Sequence, residues 1–336
     1  MGRKATFVRF CRLALLLLAI NASAQEYKIR AKVDLVEVPV TVKGSGDKLI
    51  AGLTKNDFVV FEDGRRQTIA NFTSDPVPLS AAVIIESGLT PGSLSKIQQT
   101  LSALAGAFSE FDEVAVYRYG KFVTRLLDFS KEPDQILTAI NTVRELPGTT
   151  PQEHIFPGPF SIPGPVINGA AVVPPGQVGV IVTSPPKTSY VLNDAIFAAA
   201  SDLGKRERNR RRIVLVISDG GSSGSEHSFD DVEQSLLEKS VQVYAVGVDQ
   251  PFPYKKLSIL SDYARTTGGD VFFENSLKGI EESYASITEE ARNQYAIGYL
   301  SNNEVVGAGP VFREISVEVV GRNMKVLHRK GYYQYP

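Results

Sequence analysis

Two uninterrupted apolar runs constrain this chain more than any other feature: Ala81-Ala82-Val83-Ile84-Ile85 and Ile213-Val214-Leu215-Val216-Ile217. Each has the length of a strand, and neither alternates with polar positions. A strand that is apolar on both faces must be covered on both faces, which is the condition of a central strand in a parallel sheet. The flanking segments can supply that cover. After the first run comes a helical stripe of Leu94, Ile97, Leu101, Leu104, Ala105, Phe108 and Phe111, then a strand at Val114–Tyr119 with Phe122–Leu127 pairing to it. Apolar periodicity predicts helices at Lys131–Leu146, Val191–Leu203, Phe229–Lys239, Tyr254–Thr267 and Leu277–Asn293, and strands at Val241–Val248 and Asp270–Glu274. Strands alternating with helices predict an α/β fold with a doubly wound, mostly parallel sheet.

Both ends of the chain read differently. Val36, Val38, Val40 and Val42 alternate with Glu37, Pro39, Thr41 and Lys43, the period of a half-buried strand, and Pro39 moves that strand toward a sheet edge. Strands follow at Phe58–Glu62 and Gln67–Phe72 around an Asp63-Gly64 hairpin turn. The tail returns to extended patterning at Tyr295–Leu300, Glu314–Val319 and Met324–Arg329. Short strands at either end cannot bury a core alone, so the economical reading is one small β-sandwich built from residues 25–75 and 294–336. The α/β domain, residues 79–293, is then inserted between its strands. Residues 147–187, with Pro157-Gly158-Pro159, Pro163-Gly164-Pro165 and Pro174-Pro175-Gly176, form a Pro/Gly-rich insertion within it, too long for an ordinary loop.

The first residues set the compartment. Arg3, Lys4, Arg9 and Arg12 precede an apolar run from Leu13 to Ile20, and Ala22-Ser23-Ala24 follows. A basic start, a short apolar core and a small-residue exit make a secretory signal peptide over residues 1–24 and a secreted or periplasmic product. The run is far below the ~20 residues of a membrane span, so no stable membrane insertion is expected after cleavage. Cys11 is the sole cysteine, so the mature chain has no disulfide and no thiolate chemistry. With 36 basic and 37 acidic residues the charges nearly cancel. No basic stripe offers itself to nucleic acid, because the cluster Lys205–Arg212 reads as the solvated end of a helix.

Ligands of open α/β sheets bind beyond the carboxyl ends of the central strands. Here those ends carry Glu86-Ser87-Gly88-Leu89-Thr90 and Asp219-Gly220-Gly221. Carboxylate and hydroxyl oxygens in one crevice are hard ligands of the kind Mg²⁺ and Mn²⁺ take. At these residues the chain resembles the von Willebrand factor A-related family of largely acidobacterial secreted proteins. The matching pieces are Gly52-Leu53-Thr54-Lys55-Asn56-Asp57-Phe58, Glu62-Asp63-Gly64, Ile217-Ser218-Asp219-Gly220, Thr267-Gly268-Gly269, Gln294-Tyr295-Ala296-Ile297-Gly298-Tyr299 and Lys330-Gly331-Tyr332-Tyr333. The resemblance implies a non-catalytic protein-binding domain with a metal-ion-dependent adhesion site.

That site departs from the pattern the family implies, Asp-x-Ser-x-Ser with a distant Thr and a late Asp. Glu86 stands for the first Asp, Gly88 replaces a ligating Ser, Thr90 keeps the last hydroxyl, and Asp219 matches the late Asp. Counting back from Asp194, Tyr190 occupies the Thr position, with Ser189 and Thr188 beside it as substitutes. Glu86, Thr90 and Asp219, with Thr188 or Ser189, are therefore the candidate metal set. Glu86, Ser87, Thr90, Ser189 and Asp219 are the candidate partner-binding set. The other reading of the same residues is a vestigial site without an ion.

Two rival functions stand beside this one. A cell-envelope scaffold would bind through the β-sandwich edge or the insertion and leave the crevice idle. A serine hydrolase would use Ser222, since Gly220-Gly221-Ser222-Ser223-Gly224 fits Gly-x-Ser-x-Gly after an apolar strand. His328 would be its base, with Asp249, Asp262 or Asp270 as third member. His154 and His227 show no metal-ligand spacing and read as solvated. The exported protein is expected to begin near Gln25, which N-terminal sequencing of secreted material checks.

Overall fold

Every residue of Leu79–Glu86 is buried, and in Arg211–Ser218 all but Arg212 are. These two segments lie side by side and parallel, Leu79 opposite Arg211 and Ile85 opposite Ile217. The computed structural model describes residues 35–144, 166–167, 170–171, 190–248, 259–303, 308–321 and 324–336. The predicted signal peptide, His154, Thr188, Ser189, Asp249 and most of the 147–187 insertion lie outside the described residues.

In chain order the elements are β1 (Leu35–Lys43), β2 (Phe58–Glu62), β3 (Arg65–Gln67), β4 (Ile69–Thr73), β5 (Leu79–Glu86), α1 (Pro91–Gly106), β6 (Glu113–Tyr119), β7 (Val123–Ser130) and α2 (Pro133–Arg144). A two-residue pair, β8 (Val166–Ile167) and β9 (Ala170–Ala171), is the described part of the insertion. Then follow α3 (Leu192–Leu203), β10 (Arg211–Ser218), α4 (Phe229–Glu238), β11 (Val241–Gly247), α5 (Ile259–Thr267), β12 (Val271–Phe273) and α6 (Leu277–Arg292). The chain closes with β13 (Tyr295–Leu300), β14 (Val311–Val319), β15 (Lys325–His328) and β16 (Gly331–Gln334).

A six-stranded sheet runs β12-β11-β10-β5-β6-β7, parallel except for β7, which returns antiparallel to β6. The α/β reading with a mostly parallel sheet is thus met. Side chains of the central strands alternate between two apolar clusters. Ala81, Val83, Ile85, Ile213, Leu215 and Ile217 pack against α1, α2 and α6. Ala82, Ile84, Val214 and Val216 pack against α3, α4 and α5. Continuous hydrophobicity in sequence becomes two-sided burial in space, as the strand period of two requires.

The ends of the chain form two four-stranded sheets, β15-β1-β13-β4 and β16-β14-β2-β3. One apolar cluster is common to them, with Val36, Val38 and Val40 from β1, Phe58 and Val60 from β2, Ile297 and Tyr299 from β13, and Ile315 and Val317 from β14. Two details differ from the sequence reading. The strand read at Gln67–Phe72 is broken at Thr68, so β3 pairs with β2 and β4 pairs with β13, and the chain changes sheet between them. Pro39 does not put β1 at an edge. β1 lies between β13 and β15, but β15 pairs only from Val40 onward, so at Pro39 one side of the strand has no ladder to break.

Polar contacts tie these end strands to the α/β core. Lys43 of β1 is buried and lies 2.7 Å from Asp270 and 2.6 Å from Glu290 of α6. Burial works against its ammonium charge, but Glu290 and Asp270 outweigh that and hold its pKa above the usual lysine value. Gln294 donates to Thr41 at 2.9 Å and to the Tyr244 hydroxyl at 3.1 Å. Arg329 donates to the Glu37 carbonyl at 2.8 Å. Where the chain enters and leaves the α/β core, the Val77 N–H meets the Arg292 carbonyl at 3.2 Å.

The clusters give the first structural prediction. Leu215 is fully buried at the centre of the sheet, so Leu215→Ala removes packed methylenes and leaves a cavity. A loss of about 3 kcal/mol is expected, read as a lower urea midpoint at unchanged slope.

Candidate functional site

The strand order reverses chain progression between β5 and β10: β6 and β7 extend one way from β5, β10 to β12 the other. The crevice beyond the carboxyl ends of these two strands is the switch point where open α/β sheets place ligands. Three segments meet there: the loop after β5, the loop after β10, and Tyr190 and Val191, the described residues just before α3.

Glu86 ends β5 and is fully buried. Its Oε2 accepts from the Ser218 hydroxyl at 2.8 Å, the Asp219 N–H at 3.1 Å and the Tyr119 hydroxyl at 3.1 Å. Its Oε1 is buried with no hydrogen-bond partner. Burial first, and then the charge of Asp219, push the Glu86 carboxyl up to about 7 against those three hydrogen bonds. Close to neutrality the Glu86 carboxyl is therefore only partly ionised, the ordinary answer of a desolvated carboxyl beside a like charge.

The other candidates are engaged in local structure. Asp219 Oδ1 accepts from the Gly221 N–H at 2.7 Å, closing a turn that places Gly220 at φ +83°. Thr90 caps α1, its hydroxyl accepting from the Ser93 N–H with Pro91 at the first helical position. Ser87 turns toward β6: both its N–H and its hydroxyl donate to the Tyr119 carbonyl at 2.8 Å. The structure thus brings Glu86 and Asp219 together, sets Thr90 at a helix cap, and points Ser87 to a neighbouring strand.

Tyr190 bridges the loops after β5 and β10. Its carbonyl accepts from the Ser223 N–H at 2.8 Å, its N–H reaches the Ser223 hydroxyl at 3.3 Å, and its phenol donates to the Gly88 carbonyl at 3.2 Å. The ring lies directly on Gly88. A β-carbon built on Gly88 would sit 2.0 Å from Tyr190 Cε1, and one on Gly221 would sit 3.7 Å from Cδ2.

These residues do not fit a divalent ion. Mg²⁺ requires a near-octahedral set of oxygen ligands, and Mn²⁺ shares the preference for oxygen. Here one oxygen of Glu86 already serves three donors, Gly88 has no side-chain oxygen, and an aromatic ring covers the place a serine there would occupy. Among the described residues, no group of three or more His, Cys, Asp or Glu is placed to hold a metal.

Sequence reading missed the groups that organise this end of the sheet. Tyr119 and Ser218 are apolar-strand positions by pattern, and nothing in their spacing announces that their hydroxyls meet at 2.7 Å over Glu86. His227 is not simply solvated. Its Nδ1 lies 2.8 Å from Asp194, its N–H donates to the same carboxylate at 2.9 Å, and its ring stacks on Phe197 with centroids 3.9 Å apart. Burial opposes ionisation of Asp194, but the His227 and Glu226 hydrogen bonds prevail and lower its pKa.

The hydrolase arrangement is not assembled. Ser222 reaches Asn193 Oδ1 at 3.4 Å, and α4 begins only at Phe229, so no helix follows the serine directly. His328 lies in β15, where Nε2 accepts from the Val317 N–H and Nδ1 meets the Arg329 carbonyl.

No protein-family model matches the chain, and no curated protein matches it. Solved structures similar to it include a von Willebrand factor type A protein from Catenulispora acidiphila, at 10% identity and TM-score 0.45 over 88% of this chain and 73% of that one. The manganese-loaded TRAP protein of Plasmodium vivax is similar at 10% identity and TM-score 0.44, over 82% of this chain and 99% of its own. BatB from Bacteroides thetaiotaomicron is similar at 13% identity and TM-score 0.40, over 63% and 99%. Among the described residues, no helix is long and apolar enough to cross a membrane.

The Glu86 pKa gives a signed prediction. A carboxyl whose folded pKa lies above its unfolded value binds its proton more tightly when folded, so stability falls as pH rises from about 4.5 to about 7 and levels off above. Glu86→Gln removes this contribution. Urea midpoints measured across that window should decline less steeply in the variant than in the parent protein.

Proposed function

We propose that this chain is an exported, von Willebrand factor A-like protein-binding module that does no chemistry of its own, with its α/β domain inserted in a β-sandwich made from both chain ends. The observation that carries the reading is the convergence of three segments at the switch point between β5 and β10, with Glu86 and Asp219 held against each other beneath them. A crevice at that position, bordered by Tyr190 and by the hydrogen-bonded turns after β5 and β10, suits recognition of a protein surface. Asp219, Thr90 and the Ser222–Ser223 turn form the rim in this reading, and Ser189 and Thr188 adjoin it in sequence. Secretion or periplasmic residence rests on the signal peptide read from residues 1–24.

A second reading has one observation of its own. Leu35 and Leu300 face each other in the β1–β13 ladder and are 53% and 45% exposed, an apolar spot on the end sheets. A scaffold that binds there or through the insertion would leave the crevice idle.

Photo-crosslinking separates the two. A crosslinking residue at Ser222 is expected to capture a partner from the exported fraction, and Asp219→Ala should reduce that capture at least tenfold while leaving the urea midpoint near that of the parent. Capture that survives Asp219→Ala and is lost on deleting residues 157–175 would transfer the function to the scaffold surface.

A further inference from the structure

We infer that Tyr190 is the stopper of the switch-point crevice: its ring occupies the ligand space between the loops after β5 and β10, and the crevice takes no divalent cation. The placement is fixed from several sides. The phenol is latched to the Gly88 carbonyl at 3.2 Å, the backbone is bridged to Ser223 in both directions, and the next residue, Val191, donates to the Gly120 carbonyl at 3.0 Å. The ring is bordered by two glycines, Gly88 and Gly221, and of these two Gly88 is the one where a β-carbon would collide with it.

The pairing of a missing side chain at 88 with a large one at 190 is a volume exchange. A hydroxyl ligand at position 88 and the Tyr190 ring exclude each other, because a β-carbon 2.0 Å from Cε1 forces one of them to move. An ion at this site would need oxygen from that direction, and the phenol oxygen is turned to the Gly88 backbone instead. Partner binding at this crevice, if Asp219 takes part, is then direct protein contact with no ion between the surfaces. Tyr190 fills this space whether the crevice or the end sheets bind the partner.

The test is a set of variants of the full chain, followed by thermal unfolding and by calorimetric titration with Mn²⁺. The parent protein is expected to show no saturable binding at millimolar Mn²⁺. Gly88→Ser alone should lower the unfolding midpoint by roughly 5 °C through overpacking against the ring. Adding Tyr190→Thr should recover most of that loss, although Tyr190→Thr alone does not stabilise. The triple variant Glu86→Asp/Gly88→Ser/Tyr190→Thr should gain saturable Mn²⁺ binding, and the Gly88→Ser/Tyr190→Thr double variant serves in its place if the triple does not fold. Saturable binding by the parent protein that Asp219→Ala abolishes would overturn the inference. So would a Gly88→Ser protein as stable as the parent, or opened variants that still ignore Mn²⁺.

Discussion

The side-by-side burial of β5 and β10 is the constraint on which the rest depends. Seven residue pairs, from Leu79 with Arg211 to Ile85 with Ile217, place the two most apolar segments of the chain at the middle of one sheet. Each strand then needs cover above and below, and the six helices of the described residues divide three to a face. The site follows from the same fact. Glu86 and Ser218 are the last residues of strands that admit no water, so the first polar groups past the apolar run meet each other before they meet solvent. The burial that makes the sheet also lifts the Glu86 carboxyl from its ordinary range.

The end sheets solve a different problem with different chemistry. Their shared cluster is small, and buried polar groups fix its geometry. Glu62 is fully buried and receives the hydroxyls of Tyr299 at 2.7 Å, Tyr332 at 3.1 Å and Ser301 at 2.6 Å, together with the Asn303 amide at 2.6 Å. A carboxylate this well supplied with donors tolerates burial, and it ties β2, β13, β16 and the segment after β13 into one arrangement. Lys43 does the same between β1 and the α/β core. The Lys43 pairing is not a large source of stability, since a buried ion pair recovers its desolvation cost with little to spare. Both arrangements are costly to break on one side only, which makes the geometry specific.

Much of this was legible in the sequence because hydrophobic period reports which faces are covered. The continuous runs at 81–85 and 213–217 announced the central strands, and the valines at 36, 38, 40 and 42 announced a strand covered on one face. What period cannot report is a change of partner within an extended run, so the break at Thr68 between β3 and β4 was invisible. The influence of Pro39 was misjudged for a related reason: a strand can be central at one end and one-sided at the other. At the site, the substitutions at positions 86, 88 and 190 were readable one at a time. That Tyr190 lies on Gly88 was not, because the two residues are a hundred positions apart and only the folded sheet brings their loops together. The Asp194–His227 pair is only 33 positions apart, but it too is set by the fold, which brings the start of α3 against the segment before α4.

The Val77 to Arg292 hydrogen bond closes the neck of the α/β core, and it bears on the order in which the molecule is made. β1 and β2 are synthesised before the α/β core, yet their ladder partners β13, β14 and β15 come after it; Thr41 and its partner Gln294 are 253 positions apart. Joining such distant segments across an unstructured chain carries the full entropy of closing a long loop. Once the intervening core has folded, its two ends emerge together at the neck: β4 ends at Thr73 and β13 begins at Tyr295, each within a few residues of it, and the segments that carry β1, β2, β14 and β15 close from there over tens of residues instead of hundreds. The core is thus a template that shortens the search of the end strands for one another. Until β13, β14 and β15 have been made, β1 and the β14-facing side of β2 wait as open edges, the state most exposed to wrong pairing.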